Sequence, residues 1–191
     1  MSPGRRVPVN AVVPAVRPGP TIWVLVFAGI VTTLMSTLVI PLLVDLPELL
    51  GTSPANASWV VTVTLLSGAV ATPVTGRLGD MYGARRILLL CTVPLILGSF
   101  LCAMSSSLAP MLVGRALQGA GFGIVPLGIS ALRSLVPPER LGSAIALMSS
   151  SLGIGGALGL PVAAVVAQTT SWRMLFWGVG ILSVVMAILI G

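Results

Sequence analysis

Long apolar runs with at most one charged residue make up most of the chain, and short polar or charged segments separate them. Each run is close to the roughly 20 apolar residues that an α-helix needs to cross the hydrocarbon core of a bilayer. We therefore expect an all-α membrane protein whose transmembrane helices form a six-helix bundle. The predicted helices lie near 21–44, 58–76, 87–104, 111–132, 141–167 and 172–191.

Residues 1–20 have a different composition, with five prolines and three arginines. Proline at this density prevents a helix, and the segment contains too little apolar surface for a core. We expect a disordered cytoplasmic tail over residues 1–20 and a single six-helix domain over residues 21–191.

The overall composition agrees with a membrane environment. Of 191 residues, 56% are hydrophobic and 7% are charged, and the mean hydropathy is +1.11. A soluble domain carries roughly 25% charged residues, so the surface must be solvated mostly by lipid. A soluble enzyme, a disordered chain and a disulfide-rich secreted domain are excluded. Cys91 and Cys102 lie about 16 Å apart along one predicted helix, too far for a disulfide with each other.

The charged residues predict the orientation. All ten basic residues are arginines, the acids number four, and there is no histidine. With a cytoplasmic N-terminus, Arg173 lies outside and Arg115 lies in the bilayer, and the other arginines lie inside, which is the positive-inside pattern. We expect a multi-pass protein of the cell (inner or plasma) membrane. No stretch combines basic and aromatic residues, so the net charge of +6 does not indicate a nucleic-acid partner.

No predicted helix contains Asp, Glu or His. Metal sites and acid–base catalysis need these side chains, and the serines at 149–151 have no base beside them. The sequence therefore predicts a protein that is not an enzyme and holds no metal and no cofactor. Asp80 and Glu139 are expected in loops, so any proton coupling would use carriers outside this chain.

A charged loop at residues 76–86 reads Gly-Arg-Leu-Gly-Asp-Met-Tyr-Gly-Ala-Arg-Arg. Its glycines allow a short turn with positive φ, and an ion pair or a helix cap is available to Asp80. A basic turn that only sets topology explains the composition but not the order of residues. That order resembles G-x-L-x-D-x-x-G-x-R-R, the cytoplasmic signature between helices 2 and 3 of the major facilitator superfamily. The matching residues are Gly76, Asp80, Gly83, Arg85 and Arg86.

The fourth predicted helix contains an arginine and a glutamine on one face, at positions 115 and 118. A cation at membrane depth is costly unless it is paired or hydrated, so Arg115 is either buried for a function or extends to the membrane surface. The run from Gly114 to Gly121 resembles the superfamily signature R-x-x-Q-G-x-G. Arg115, Gln118 and Gly119 are the membrane-embedded transport candidates.

Small residues recur at four-residue spacing in the fifth predicted helix, at Ser151, Gly155 and Gly159, which allows close helix packing. The run from Gly153 to Pro161 resembles the glycine-rich antiporter signature of drug exporters. It departs from that signature because the expected Gly-Pro and Gly-Gly pairs read Gly-Gly and Gly-Leu, with the proline displaced to 161. The resemblance implies a flexible hinge at Gly155, Gly159 and Pro161.

The sixth predicted helix begins with Ser-Trp-Arg-Met-Leu-Phe at residues 171–176. This run resembles the S-W-R-x-x-F of the fourteen-helix drug:proton antiporters, which marks Trp172 and Arg173, although Trp172 also suits an interfacial anchor. Helix 1 departs from those antiporters, because Met35 and Ile40 replace a membrane aspartate and an asparagine.

Taken together, these motifs resemble the N-terminal six-helix half of a major facilitator superfamily transporter. The resemblance implies transport by alternating access between two halves, here in a multidrug or small-molecule efflux antiporter. It also implies that Asp80 and its arginines latch the cytoplasmic side and that Arg115 lines the central cavity and influences proton binding.

The expected partners are the lipid bilayer, a hydrophobic small-molecule substrate, and the missing C-terminal half or another six-helix bundle. The alternative is a truncated six-helix remnant that has a structural or partner-dependent role and does not transport alone.

Overall fold

The computed structural model describes residues 19–191 of the chain. The tail predicted at residues 1–20 therefore lies outside the described residues, except that Pro20 already begins the first helix. Within the described part the chain is helical and contains no strand. Its elements are α1 (Pro20–Leu42), α2 (Leu46–Leu49), α3 (Pro54–Ala57), α4 (Trp59–Tyr82), α5 (Ala84–Met104), α6 (Leu108–Ala120), a 3-10 turn (Gly121–Gly123), α7 (Ile124–Leu135), α8 (Pro138–Thr169) and α9 (Arg173–Ile190).

Six helical segments are long and apolar enough to cross a membrane, by length and composition. The fourth segment comprises α6, the 3-10 turn and α7, so one short change of helix type interrupts it. The all-α six-helix bundle expected from the apolar runs is thus confirmed. The six segments are Pro20–Leu42, Pro54–Tyr82, Ala84–Met104, Leu108–Leu135, Pro138–Val166 and Arg173–Ile190.

The charged loop predicted at 76–86 is almost entirely helical. α4 continues to Tyr82 and α5 begins at Ala84, which leaves Gly83 alone between them. Gly83 has a φ of 91°, a conformation that residues with a Cβ atom rarely adopt. The difference arises because a charge ends an apolar run without ending a helix, since Arg is a good helix former.

Two acids that were expected in loops also lie in helices. Asp80 occupies the last turn of α4, and Glu139 occupies the first turn of α8, which Pro138 starts. Proline suits this first position because its missing N–H would have no partner there. Both carboxylates are exposed and lie near the ends of their helices.

Small residues form the interface between α1 and α8, which pack along each other. A Cβ atom on Gly155 would lie 2.6 Å from the carbonyl oxygen of Ile30, and one on Gly159 would lie 2.6 Å from Cβ of Thr37. Neither position has room for a larger residue. The four-residue stripe in α8 is therefore a helix-packing surface directed at α1, as such stripes allow.

α4 and α8 are the least covered of the spanning segments. In the most apolar stretch of each of these two segments, 22% of the residues are buried, against 39% to 56% in the other four segments. The uncovered face of α4 is apolar along most of its length, with Leu66 and Val70 exposed, and it ends with Arg77 and Asp80. Two helices thus present apolar surface that the bundle itself does not cover.

Candidate functional site

A buried polar cluster lies where α4, α5 and α6 meet. The Arg115 side chain is 1% exposed. Its Nε donates to the carbonyl oxygen of Val60 in α4 at 3.3 Å, and its Nη1 donates to Oε1 of Gln118 at 2.8 Å. Gln118 Nε2 donates to Oγ of Ser99 in α5 at 2.9 Å, and that hydroxyl donates to the carbonyl oxygen of Leu95 at 2.7 Å.

Glycines let the three helices approach closely enough to form this cluster. A Cβ atom on Gly98 would lie 2.8 Å from the backbone nitrogen of Gln118. On the other side of α6, a Cβ atom on Gly119 would lie 3.0 Å from Cβ of Ser67. Ser67 also donates from Oγ to the carbonyl oxygen of Ala116 at 2.6 Å. The candidate Gly119 therefore fixes the α4–α6 contact and makes no polar contact through a side chain.

The electrostatic partners of Arg115 are dipoles, not charges. Among the described residues its guanidinium contacts a backbone carbonyl and an amide oxygen but no carboxylate. A buried cation loses its hydration, and neutral acceptors replace only part of that stabilisation. The Arg115 side chain is buried and does not extend to the surface, and its role in transport stays a prediction.

Helix α1 has no carboxylate either. Met35, at the position where the resembling antiporters have a membrane aspartate, is buried at 1% exposure, whereas Ile40 is 55% exposed. A thioether cannot titrate, so α1 contributes packing but no proton carrier. Within residues 19–191 there is also no group of three or more His, Cys, Asp and Glu side chains that could hold a metal ion.

The side chains of the signature at residues 76–86 point in different directions. Asp80 is exposed, and within residues 19–191 it neither forms an ion pair nor caps a helix, since the N-cap of α5 is Gly83. Arg85 instead turns to the end of α9, where Nε donates to the carbonyl oxygen of Ile190 at 3.0 Å and Nη2 donates to that of Gly191. The exposed Arg86 lies one residue further along.

The start of α9 is fastened at the opposite end of the bundle. Nη2 of Arg173 donates to the carbonyl oxygen of Ser105, in the turn between α5 and α6, at 2.8 Å. The guanidinium carbon lies 5.4 Å from the ring centre of Trp172, and that ring meets Phe176 edge-on at 6.0 Å. Arg173 and Trp172 therefore form one structural contact, which we call the α9 clasp.

In α8, two of the predicted hinge residues lie in the interface with α1, and Pro161 is exposed inside the helix. The sequence had not singled out Ser99, Gly98 or Ser105. These are small residues in or just after an apolar helix, and only the packing of α5 against α6 and α9 gives them a role. A lone serine in an apolar run was the available signal for Ser99.

Several known proteins are similar to this chain. The family model described as Major Facilitator Superfamily matches residues 25–191. An uncharacterized MFS-type transporter of Mycobacterium tuberculosis (strain ATCC 25618 / H37Rv) is 35% identical over 154 residues, which are 80% of this chain and 22% of that protein. MdtD of Escherichia fergusonii, whose name associates it with multidrug resistance, is 31% identical over 156 residues, 81% of this chain and 33% of that protein.

A solved structure shares the fold. The human organic anion transporter MFSD10 superposes with a TM-score of 0.72 at 24% identity, over 91% of this chain and 47% of that one. This chain thus spans less than half the length of each of these proteins. Because the family model matches nearly all of the described residues, the chain belongs to the Major Facilitator Superfamily.

Proposed function

We propose that this chain is the N-terminal half of an alternating-access transporter that exports hydrophobic small molecules. Membership of the superfamily supports transport across a membrane, and the similarity to MdtD supports multidrug efflux as the specific activity. The observation that carries the proposal is the buried Arg115–Gln118–Ser99 cluster in the fourth spanning segment.

The cluster supports a functional role because it costs stability. A guanidinium in a membrane interior is expensive, and here it has no carboxylate to neutralise it among the described residues. Well-packed apolar residues of similar size would make the same three-helix junction without that cost. In our proposal the fixed positive charge acts from inside the bundle and lowers the proton affinity of an acid that the second half supplies.

The uncovered faces of α4 and α8 suit the second six-helix half. Both faces are apolar at membrane depth, and the face of α4 carries Asp80 at its end. We place this end of the bundle in the cytoplasm, as the arginines of the connecting segments favour. There the exposed carboxylate of Asp80 would bind the second half in one of the two transport states.

An apolar depression on the uncovered face of α4 would lie where the two halves meet, and its lining suits a hydrophobic substrate held between them. It has a volume of about 440 Å³ and is lined by Val63, Leu66, Ser67, Val70, Ala71 and Val74. Such a wall offers dispersion contacts and one hydroxyl, so it would accept apolar solutes of various shapes. In the same scheme Gly155, Gly159 and Pro161 let α8 move against α1. The close packing between these two helices would then change between the transport states.

The proposal can be tested by fusing residues 1–191 to the C-terminal half of MdtD and measuring ethidium efflux from cells that lack their main exporters. We expect efflux by the fusion and none by residues 1–191 alone. Arg115→Ala should abolish efflux while the amount of protein in the membrane stays the same. Efflux by purified residues 1–191 in proteoliposomes would contradict the half-transporter proposal, and wild-type efflux in Arg115→Ala would contradict the role of the cluster.

A further inference from the structure

The hydroxyl of Ser99 in α5 makes two hydrogen bonds, and one of them leaves its own helix. Oγ donates to the carbonyl oxygen of Leu95 at 2.7 Å, a bond that serine commonly makes inside a helix. The same oxygen accepts from Nε2 of Gln118 in α6 at 2.9 Å. Ser183 in α9 is equally buried and also donates to the carbonyl four residues earlier, but in the described part of the chain its hydroxyl accepts from no side chain. Ser99 therefore does more than satisfy its own proton.

The chemistry of these groups determines which way the Gln118 amide faces. A guanidinium has N–H donors and no acceptor, so the amide atom that faces Arg115 must be the oxygen. Oε1 of Gln118 accepts from Nη1 of Arg115 at 2.8 Å. Nε2 then faces the other side, where Ser99 can accept because its own proton is directed at Leu95. The hydroxyl and the guanidinium thus select the same orientation of the amide.

Water cannot replace the Ser99 hydroxyl at this place. Ser99 and Gln118 are both 0% exposed, and within residues 19–191 Ser99 is the acceptor for Nε2 of Gln118. A buried N–H group without an acceptor is costly. Without the hydroxyl, the amide would turn Nε2 toward another acceptor, and Oε1 would turn away from Arg115 with it.

Gln118 provides the closer of the two contacts that hold the Arg115 guanidinium. The bond from Nη1 to Gln118 measures 2.8 Å, whereas the bond from Nε to the carbonyl oxygen of Val60 measures 3.3 Å, which is longer than usual for N–H···O. The Val60 carbonyl also accepts from Oγ1 of Thr64 at 2.9 Å, so Arg115 shares that acceptor. The position of the guanidinium therefore depends mainly on Gln118.

We propose that Ser99 is a positioning residue for Arg115: it fixes the orientation of the Gln118 amide and thereby holds the guanidinium in one place. This relay crosses from α5 to α6, where Gly98 lets the two backbones approach. The position of the buried charge thus depends on how these two helices pack. The positioning itself needs neither transport nor a second half, and only its consequence for efflux rests on the proposed function.

The test is NMR of residues 1–191 in detergent, with ¹⁵N-labelled arginine. The Nε–Hε signal of Arg115, identified by its loss in Arg115→Lys, reports how fast this proton exchanges with water. Ser99→Ala should speed the exchange about five-fold, which corresponds to roughly 1 kcal/mol, because the Gln118 amide loses its fixed orientation. Ser183→Ala is the matched control, since it removes an equally buried hydroxyl with the same kind of bond in its own helix, and it should leave the exchange unchanged.

Gln118→Glu separates orientation from packing. Both oxygens of a carboxylate accept hydrogen bonds, so this side chain needs no neighbour to turn an acceptor toward Arg115. In the Gln118→Glu background, Ser99→Ala should change the exchange by less than about two-fold, since the coupling between the two positions is lost. An equal acceleration by Ser99→Ala in both backgrounds, or an equal acceleration by Ser183→Ala, would show a general loosening of the bundle and overturn the proposal.

The efflux measurement keeps the two proposals apart. In the fusion with the C-terminal half of MdtD, Ser99→Ala should lower ethidium efflux, because Arg115 is no longer held in place. If Ser99→Ala speeds the exchange as expected and efflux is unchanged, the positioning role of Ser99 is supported and the transport role of Arg115 is contradicted. If the exchange is unchanged, the positioning role is wrong whatever the efflux.

Discussion

Arg115 is held by Val60 and Gln118, whose oxygens carry no charge. Hydrogen bonds to a charged group stabilise it, but the desolvation of a buried ion offsets much of that gain. The free energy of unfolding therefore gives little reason for an arginine at this position. The proposed transport role would give such a reason, and stability and transport make opposite predictions for an apolar replacement of Arg115.

Arg115→Met combined with Gln118→Leu should leave the thermal stability of the bundle in detergent unchanged or raised. Both polar side chains are removed together, and Ser99 keeps its bond to the carbonyl oxygen of Leu95. In the fusion with a second half, ethidium efflux should be lost. A strong loss of thermal stability would show that the cluster holds the bundle together and is not retained for transport.

At this scale the sequence predicted part of the cluster. Spacing placed Gln118 on the same face as Arg115, and the structure joins them by a hydrogen bond. Val60 and Ser99 could not be predicted, because one contributes a backbone carbonyl and the other an isolated hydroxyl. Their roles depend on how α4 and α5 cross α6, which no local pattern records.

Among the secondary-structure elements, α1 and α8 show how small residues set the distance between helices. Gly155 and Gly159 have backbone or Cβ atoms of α1 within 2.6 Å of where their own Cβ would lie. Gly153, in the same helix, has nothing within 4 Å of that point. The two kinds of glycine are indistinguishable in sequence, and only the packing separates them.

Gly155→Ala should therefore destabilise the bundle by about 1–3 kcal/mol, as overpacking of a close-packed site does. Gly153→Ala should be neutral or slightly stabilising, since alanine favours a helix by up to about 1 kcal/mol over glycine. The measurement is the unfolding midpoint of each purified variant in detergent. Equal midpoints for the two variants would contradict the tight α1–α8 interface.

The α9 clasp predicts a second local effect. Arg173→Gln removes the bond to the carbonyl oxygen of Ser105 and the cation above Trp172. Hydrogen exchange should then rise in peptides that cover residues 104–110, because that turn loses its tie to α9. Arg77→Gln, an exposed change elsewhere, should leave these peptides unchanged, and a similar rise in both variants would argue against the clasp.

For the molecule as a whole, six apolar runs were sufficient to predict the number of spanning helices. They were not sufficient to place the helix ends, because helices such as α4 and α8 continue past the apolar stretch into charged sequence. Nor could they show which helices the bundle leaves uncovered. That property depends on the pairing of α1 with α8 and of α5 with α6 and α9.

Asp80 provides a test of the whole arrangement. In the fusion with a second half, Asp80→Asn should lower efflux several-fold while the protein still inserts with the same orientation, since in the proposed transporter this carboxylate acts between the halves. Efflux is measured with ethidium, and orientation with the accessibility of a tag at the N-terminus. If the tag instead moves to the other side of the membrane and ethidium transport is otherwise normal, Asp80 serves only to set the topology.

Gly83 has a consequence for biosynthesis. It is the single residue between a helix that ends at Tyr82 and one that starts at Ala84. In the folded protein a connection this short keeps the end of α4 beside the start of α5. We therefore expect the two helices to enter the membrane together as one hairpin.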